Sequence, residues 1–262
     1  MKIKDITAII EDAAPLALQE HYDNSGLIVG NPNDEADSAL ICVDVTEEVL
    51  DEAQALGTKL VISHHPIIFD PLKKLTGNSH IERIVARAIK NEIAIYACHT
   101  NLDNVRNGMS YRLADRLGLI NVRVLSPCST DDSGNGAGVI GELPDTLAST
   151  EFIRQMKETL CLQVIRHSTL SPEKVKHVAL CTGSGAFLIG AAAAAGAEIY
   201  VTADLKYNDF FKADGQLIVC DIGHFESEYC AIDLLFDIIR KNLTTFALHK
   251  SEKSRNPVNY TV

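Results

Sequence analysis

Short apolar runs alternate along the chain with segments in which apolar residues recur at a helical spacing. In the first half these runs are Ala39–Val45, Leu60–Ile62 and Ile93–Cys98, and turn-forming or polar residues bound each of them. Continuous apolar runs of this kind are typical of strands buried on both faces of a sheet. We therefore predict three buried strands in this region.

The clearest helix prediction covers Ser79–Asn91. Ser79 and Glu82 have the spacing of a capping box at a helix start. One helical face collects the apolar positions Ile81, Ile84, Val85, Ala88 and Ile89. Alternation of strand and helix favours βαβ units and a largely parallel sheet covered on both sides.

The second half repeats this alternation. Strands are predicted near Val139–Gly141, Val164–His167, Val178–Cys181, Ile199–Thr202 and Leu217–Cys220, and helices from about Thr146, Phe187 and Phe225. Turn formers dominate residues 127–136, which predicts a surface linker there. The fold prediction is an α/β protein with two similar halves, residues 1–126 and 137–262, whose sheets are mixed or parallel.

Composition and charge limit the class of protein to which this chain can belong. The 262 residues are 46% hydrophobic and 23% charged, which is ordinary for a globular protein and excludes disordered and fibrous chains. The net charge of −11 disfavours non-specific nucleic-acid binding and anionic membrane surfaces. The start of the chain has no apolar signal core, and the longest uncharged stretch, Ala186–Ala197, is too short to span a bilayer. We expect a cytoplasmic protein without membrane contact.

The first candidate for chemistry is the pair His64 and His65, which directly follows the strand Leu60–Ile62. Open α/β sheets build their sites at the carboxyl ends of strands. Neighbouring side chains on extended backbone diverge, so the two imidazoles would serve two adjacent ions rather than one. The alternative is a histidine pair in a surface turn.

A second polar cluster, His99–Asn104, follows the strand Ile93–Cys98. Asp103 offers a hard oxygen ligand, and His99 is a candidate proton carrier or a group that orients a ligand. Such a cluster alone also fits a helix N-cap or an Asx turn.

The third cluster opens the last predicted helix. His224 and Glu228 are four residues apart, so they share a helical face, whereas Glu226 points elsewhere. Alone, this spacing fits a surface pair. Five imidazole and carboxylate donors together suffice for two cations with positions left for water, namely His64, His65, Asp103, His224 and Glu228. The seven cysteines contain no C-x-x-C pair, so a metal here would use histidine and carboxylate.

The segment Cys181–Phe187 combines a strand end, glycines and a helix start. It fits a loop that offers backbone N–H groups to an anion, or a plain tight turn. Because Leu188 stands where a third glycine is required, the dinucleotide fingerprint fails.

The three clusters, in this order and spacing, resemble the GTP cyclohydrolase I type 2 homologues, also called dinuclear metal-centre or Nif-three-like proteins. The resemblance extends to Asp23–Leu27 and Thr202–Lys206 and covers essentially the whole chain. Many relatives have Trp where this chain has Tyr22, and relatives often have Gly and His where it has Ala203 and Asn208.

The resemblance implies a ligand set and an assembly. By it, the five donors named above bind two metal ions, with Glu228 spanning both. It also implies two α/β halves that face each other across the metals, and ring-shaped hexamers. Longer relatives carry an additional domain near the middle, so this chain is similar to the short form.

The functional expectation is a metal-dependent hydrolase acting on a nucleotide or related phosphorylated small molecule, GTP included, with His99 as the proton carrier. A metal-dependent binding or regulatory ring and a metal carrier are the alternatives. The ions could be Zn, Fe, Mn, Co or Ni. Because two cations outweigh two carboxylates locally, a small anionic substrate is compatible with the acidic net charge.

Overall fold

Two β-sheets organise the computed structural model, which describes residues 1–128 and 133–261. Each sheet belongs to its own unit of the chain. The first unit comprises Met1–Leu102 and Ala231–Arg255, and the second comprises Asp103–Cys230 and Asn256–Val262.

Helices and strands alternate in part of the chain, as the sequence predicts. The helices are α1 (Ile3–Ala13), α2 (Glu47–Leu56), α3 (His80–Lys90), α4 (Thr100–Asn104), α5 (Met109–Arg116), α6 (Ser149–Thr159), α7 (Ile189–Ala194), α8 (His224–Glu228) and α9 (Cys230–Asn242). The strands are β1 (Gly26–Val29), β2 (Ser38–Cys42), β3 (Leu60–Ser63), β4 (Ala94–Ala97), β5 (Ile120–Pro127), β6 (Gly136–Ala148), β7 (Arg166–His167), β8 (Lys174–Ser184), β9 (Ile199–Ala203), β10 (Ile218–Asp221) and β11 (Ala247–Lys250). However, β1 and β2, β5 and β6, and β7 and β8 follow each other without a helix between them. Short 3-10 helices cover Leu16–Leu18, Ala186–Leu188 and Tyr207–Ala213. Within the described ranges, no helix is both long enough and apolar enough to cross a membrane.

The sheet of the first unit has the strand order β1-β4-β3-β2-β11, in which only β1 runs antiparallel to its neighbour. Every residue of β3 and β4 is buried, as the continuous apolar runs predict. The last residues of these two strands pair as Ser63 with Ala97. The segments that follow β3 and β4 therefore begin side by side at one edge of the sheet.

Helix α3 confirms part of its prediction. The Ser79 hydroxyl accepts a hydrogen bond from the Glu82 N–H at 3.2 Å, as an N-cap should. The Glu82 carboxylate does not complete the capping box, because it accepts from Thr76 and Asn78 in the preceding loop. Ile89, assigned to the apolar face, is 55% exposed, because the buried face of the helix runs along Ile84, Val85 and Ala88 and does not include it.

The sheet of the second unit has the order β5-β6-β8-β9-β10-β7 and is mixed. Only β8, β9 and β10 are parallel to one another. The predicted α/β class with mixed or parallel sheets is confirmed. The strand predicted at Val164–His167 is reduced to two exposed residues at the sheet edge, β7. The helix predicted from Thr146 begins at Ser149 because β6 continues to Ala148.

The chain is not divided where the turn-forming stretch 127–136 suggests. Pro127 and Gly136 pair as neighbours in β5 and β6, so this stretch connects the two strands of a hairpin within one sheet. Residues 129–132 of the predicted linker lie outside the described residues. The division also differs from 1–126 and 137–262 because β11 joins the first sheet, parallel to β2.

Candidate metal centre

Three histidines converge in the first unit where β3 and β4 end. His64 and His65 follow β3, and His99 follows β4. Their ring centroids are 5.0 to 5.3 Å apart. One ring nitrogen from each lies within 4.8 Å of the others, so these imidazoles could hold a metal ion. The neighbouring, parallel ends of the two strands bring them together, as the sequence predicts.

Each of the three rings has its Nδ1 atom fixed by an oxygen. The contacts are His64 to the Cys98 carbonyl at 2.8 Å, His65 to the Asp44 carboxylate at 2.7 Å, and His99 to the Asp23 carboxylate at 2.7 Å. Because these oxygens only accept, each Nδ1 carries the hydrogen and donates it. In the neutral imidazole, Nε2 is then the nitrogen that carries the lone pair, which is the arrangement found around metal-ligating histidines.

Asp23 is a component of this cluster that the residue patterns did not assign. Its side chain is fully buried and also accepts hydrogen bonds from the Ser25 hydroxyl and from the N–H and hydroxyl of Thr100. Burial alone would raise the pKa of Asp23, but the hydrogen bonds and the charge of His99 outweigh burial and hold this pKa well below its ordinary value. Asp23 is therefore an ionised acceptor that fixes the His99 ring.

In the second unit, α8 presents His224 and Glu228 on one face. His224 Nε2 lies 2.9 Å from Glu228 Oε2, and His224 Nδ1 lies 2.8 Å from Asp204 Oδ2. Burial lowers the pKa of His224, but hydrogen bonds and charge from these two carboxylates outweigh burial and raise it to about 9. The Glu228 side chain is only 3% exposed. The Glu228 carboxylate therefore lies against His224 rather than in solvent.

Asp103, on α4, belongs to the same unit. One of its oxygens accepts a hydrogen bond from the Thr182 hydroxyl at 3.3 Å, and a carboxylate oxygen lies within 4.8 Å of one of Glu228. Burial and the charges of these two acids raise the pKa of the Cys181 thiol to about 12. The Cys181 thiol therefore stays protonated near neutral pH in the metal-free protein.

Gly183 gives Glu228 its space. Its φ is +63°, and a Cβ there would overlap Glu228 Oε1. The Gly183 N–H donates to the Ser227 hydroxyl at 2.9 Å, and the Gly183 carbonyl accepts from Thr202 at 3.1 Å. Gly183 thus lies in an irregular end of strand β8 whose backbone leaves room for a carboxylate, and its amide is already engaged within the protein.

The structure assigns the predicted residues to the two units separately. His64, His65 and His99 lie together in the first, and Asp103, His224 and Glu228 lie together in the second. Glu226 points elsewhere, as expected, and accepts from Asn256 at 2.9 Å. Sequence patterns missed the carboxylates that fix imidazoles, Asp23, Asp44 and Asp204; the only signal for two of them is their place in the motifs Asp23–Leu27 and Thr202–Lys206.

The donor chemistry fits a divalent transition metal. Imidazole nitrogens are borderline ligands and carboxylate oxygens are hard ones, and together they suit Zn, Fe, Mn, Co and Ni. Bound cations would also offset the charge of the buried acids.

Comparison with known proteins identifies the family of this chain. The model of the family described as Duf34/NIF3 (NGG1p interacting factor 3) matches residues 1–257. The "GTP cyclohydrolase 1 type 2 homolog" of Clostridium perfringens is 35% identical over 93% of both chains, and that of Lactococcus lactis is 34% identical over 98% of both. The crystal structure of a Bacillus cereus protein related to NIF3 superposes with a TM-score of 0.93 at 25% identity, covering 100% of this chain and 99% of that one. This chain therefore belongs to the Duf34/NIF3 family.

Proposed function

We propose that this protein is a metal-dependent hydrolase of a nucleotide or a related phosphorylated small molecule. In this proposal, two divalent ions are held by His64, His65, Asp103, His224 and Glu228, and Glu228 spans both ions. The relatives named GTP cyclohydrolase 1 type 2 homolog make GTP one substrate to test.

The orientation of the imidazoles carries the proposal. His64, His65 and His224 all have Nδ1 within 2.7 to 2.8 Å of an oxygen acceptor, which leaves Nε2 as the nitrogen that would bind a metal ion. At His224, a metal ion would replace the proton between Nε2 and Glu228, which are 2.9 Å apart. The exposed His167 also has its Nδ1 2.7 Å from a carbonyl, so the proposal depends on this orientation together with the grouping of donor atoms within 4.8 Å of one another. Oxygen acceptors that fix the ligand rings raise the basicity of Nε2 and set the direction of the ligand bond.

The bound ions would supply a water of lowered pKa and positive charge for an oxyanion. His99 would take up the proton that this water loses and pass it on. Its Nδ1–H donates to Asp23, so the neutral ring can accept a proton at Nε2, and the buried Asp23 carboxylate then stabilises the imidazolium that forms. The leaving group would take this proton from Nε2.

The test measures bound metal and turnover in the same preparations. Native protein is analysed for metal and screened on GTP, other nucleotides and simple phosphoesters, beside His65→Ala, Asp103→Ala and the control His177→Ala. His177 is an exposed histidine whose partner is Glu198, outside the proposed ligand set. We expect about two ions per chain and turnover in the native and control proteins, and loss of both in the two ligand variants.

Turnover that survives both His65→Ala and Asp103→Ala would contradict the hydrolase proposal. Full metal content in both variants would contradict the ligand assignment itself.

We further propose, from the family resemblance, that the protein assembles as a ring of six copies. Analytical ultracentrifugation should give a mass six times that of the chain. A mass equal to one chain at micromolar concentration would refute the ring.

A further inference from the structure

Two aromatic side chains extend from the histidine cluster of the first unit to its surface. The Phe69 ring lies 6.3 Å from that of His99, at 77° to it, and the Tyr22 ring lies 6.2 Å from Phe69. Tyr22 is 56% exposed and Phe69 is 46% exposed. The three rings therefore lie in a row, and Tyr22 and Phe69 each expose about half of their surface to solvent.

The segments that carry these rings are fixed to each other. The Asn24 side chain donates to the Ile68 carbonyl at 2.7 Å, which joins the loop bearing Tyr22 to the loop bearing Phe69. The Asn24 N–H donates to Asp23, the buried carboxylate that also holds His99. The exposed rings are thus attached to the network that orients His99, and a ligand would not have to order them on binding.

We propose that Tyr22 and Phe69 form a stacking face for a planar heteroaromatic ring of the substrate, such as a nucleobase. This inference rests on the proposed function, which it deepens by naming the part of the substrate that this face binds. Aromatic side chains stack on any planar base because every base has a π face. Asp70, the exposed sequence neighbour of Phe69, is acidic, so the face suits an uncharged ring rather than a phosphate group.

The sequence provides a clean reporter for this face, because the chain contains no tryptophan. Tyr22→Trp places a single indole at the stacking face, and its fluorescence can be followed during titration with GMP. The matched ligand is ribose 5-phosphate, which has the sugar and phosphate but no base. We expect saturable quenching by GMP, and a dissociation constant for ribose 5-phosphate at least about tenfold weaker.

Two further variants localise the signal. Ile89→Trp, at a position on α3 that is 55% exposed, is the control for non-specific quenching and should show none that saturates. In the Tyr22→Trp background, Phe69→Ala should weaken GMP binding about tenfold or more, whereas Phe69→Tyr should retain it. Because Phe69 is largely exposed, the fold of both variants is checked by an unchanged melting temperature.

Several results would overturn the stacking face: no saturable quenching, equal quenching at position 89, equal affinity for ribose 5-phosphate, or GMP affinity unaffected by Phe69→Ala. The fluorescence of Tyr22→Trp could instead change only because the protein self-associates, which would appear as a gain in mass with protein concentration. That result would assign the face to contact with a second copy of the chain and would overturn the proposal of a stacking face.

Repeating the titration on metal-loaded and chelator-stripped protein separates this inference from the proposed function. Metal binding and phosphoester turnover without base-dependent quenching would remove the stacking face alone. Base-dependent quenching in a protein that neither binds metal nor turns over substrate would support the face and remove the hydrolase.

Discussion

Asp221 is a buried carboxylate that fixes two segments of the second unit at once. It accepts the N–H of Leu205 at 3.0 Å and that of Gly223 at 3.0 Å, and it pairs with Arg166 at 3.1 Å. These two amides directly adjoin Asp204 and His224, which form the hydrogen-bonded pair described above. Asp221→Asn keeps the volume but removes the charge, so we expect metal affinity to fall about 10- to 100-fold, measured by competition with a chromophoric chelator.

The control for this prediction is Glu198→Gln. Glu198 also accepts two backbone N–H groups, from Lys176 at 3.1 Å and His177 at 2.6 Å, but it lies before β9, at the opposite end of that strand from Asp204. Metal affinity should be unchanged in Glu198→Gln. An equal loss in both variants would show a general effect on stability and contradict the positioning role of Asp221.

Asp23 should contribute stability that depends on pH. Its pKa in the folded protein is held well below the value of about 3.9 expected in the unfolded chain. A depressed pKa stabilises the fold at every pH above that unfolded value, and this stability is lost as pH falls toward the folded pKa. We expect the melting temperature of metal-free wild type to fall below about pH 4 more steeply than that of Asp23→Asn. Parallel curves would refute this.

A site residue could be predicted from the sequence where a local pattern marks its position. His64, His65 and His99 directly follow apolar runs that predict strands, so their place at the strand ends could be predicted from the sequence. Asp23 is 76 residues from the ring it holds, and Asp221 fixes Leu205 across 16 residues. No local sequence pattern marks such carboxylates, because only the tertiary fold brings each one next to the groups that donate to it.

The carboxyl end of β8 is an element whose geometry the site requires. Gly183→Ala should remove metal binding because the added methyl would displace Glu228, and it should also cost about 1 to 2 kcal/mol for a left-handed backbone. Metal content and the free energy of unfolding report the two effects separately.

Gly196→Ala is the matched control for that substitution. Gly196 has φ of +80°, but a Cβ there has nothing within 4 Å. The same backbone cost should appear with full metal content. Full metal content in Gly183→Ala would show that Glu228 does not need the space and would contradict the prediction.

Elements differ in how far the sequence predicts them. β3 and β4 are buried throughout, so continuous apolar runs reveal them. β7 consists of two exposed residues at the edge of the sheet, where it pairs only with the end of β10. The apolar residues that precede it in the sequence led to the prediction of a longer strand. Burial on both faces leaves a signal in composition, whereas an edge position depends on pairing with a distant strand.

At the scale of the whole molecule, the first unit is completed by the end of the chain. β11 pairs along β2 from Ala247 opposite Ser38 to Lys250 opposite Ile41. The Ser254 hydroxyl, just beyond β11, accepts the Val43 N–H at 3.0 Å. The pairing of β11 with β2 could not be predicted from turn residues, because strand pairing across about 200 residues leaves no local signal in the sequence.

A fragment of residues 1–126 should therefore fail to fold cooperatively. It lacks α9 and β11, which leaves the edge of β2 unpaired and removes the fully buried Leu235 and Ile239. The control joins residues 1–102 to 231–255 through a flexible Gly/Ser linker, which restores both elements in one chain. We expect a cooperative denaturant transition and dispersed amide resonances for the joined chain only. A cooperative transition in the 1–126 fragment would show that its own core suffices, and that the terminal strand adds to a unit already folded rather than completing it.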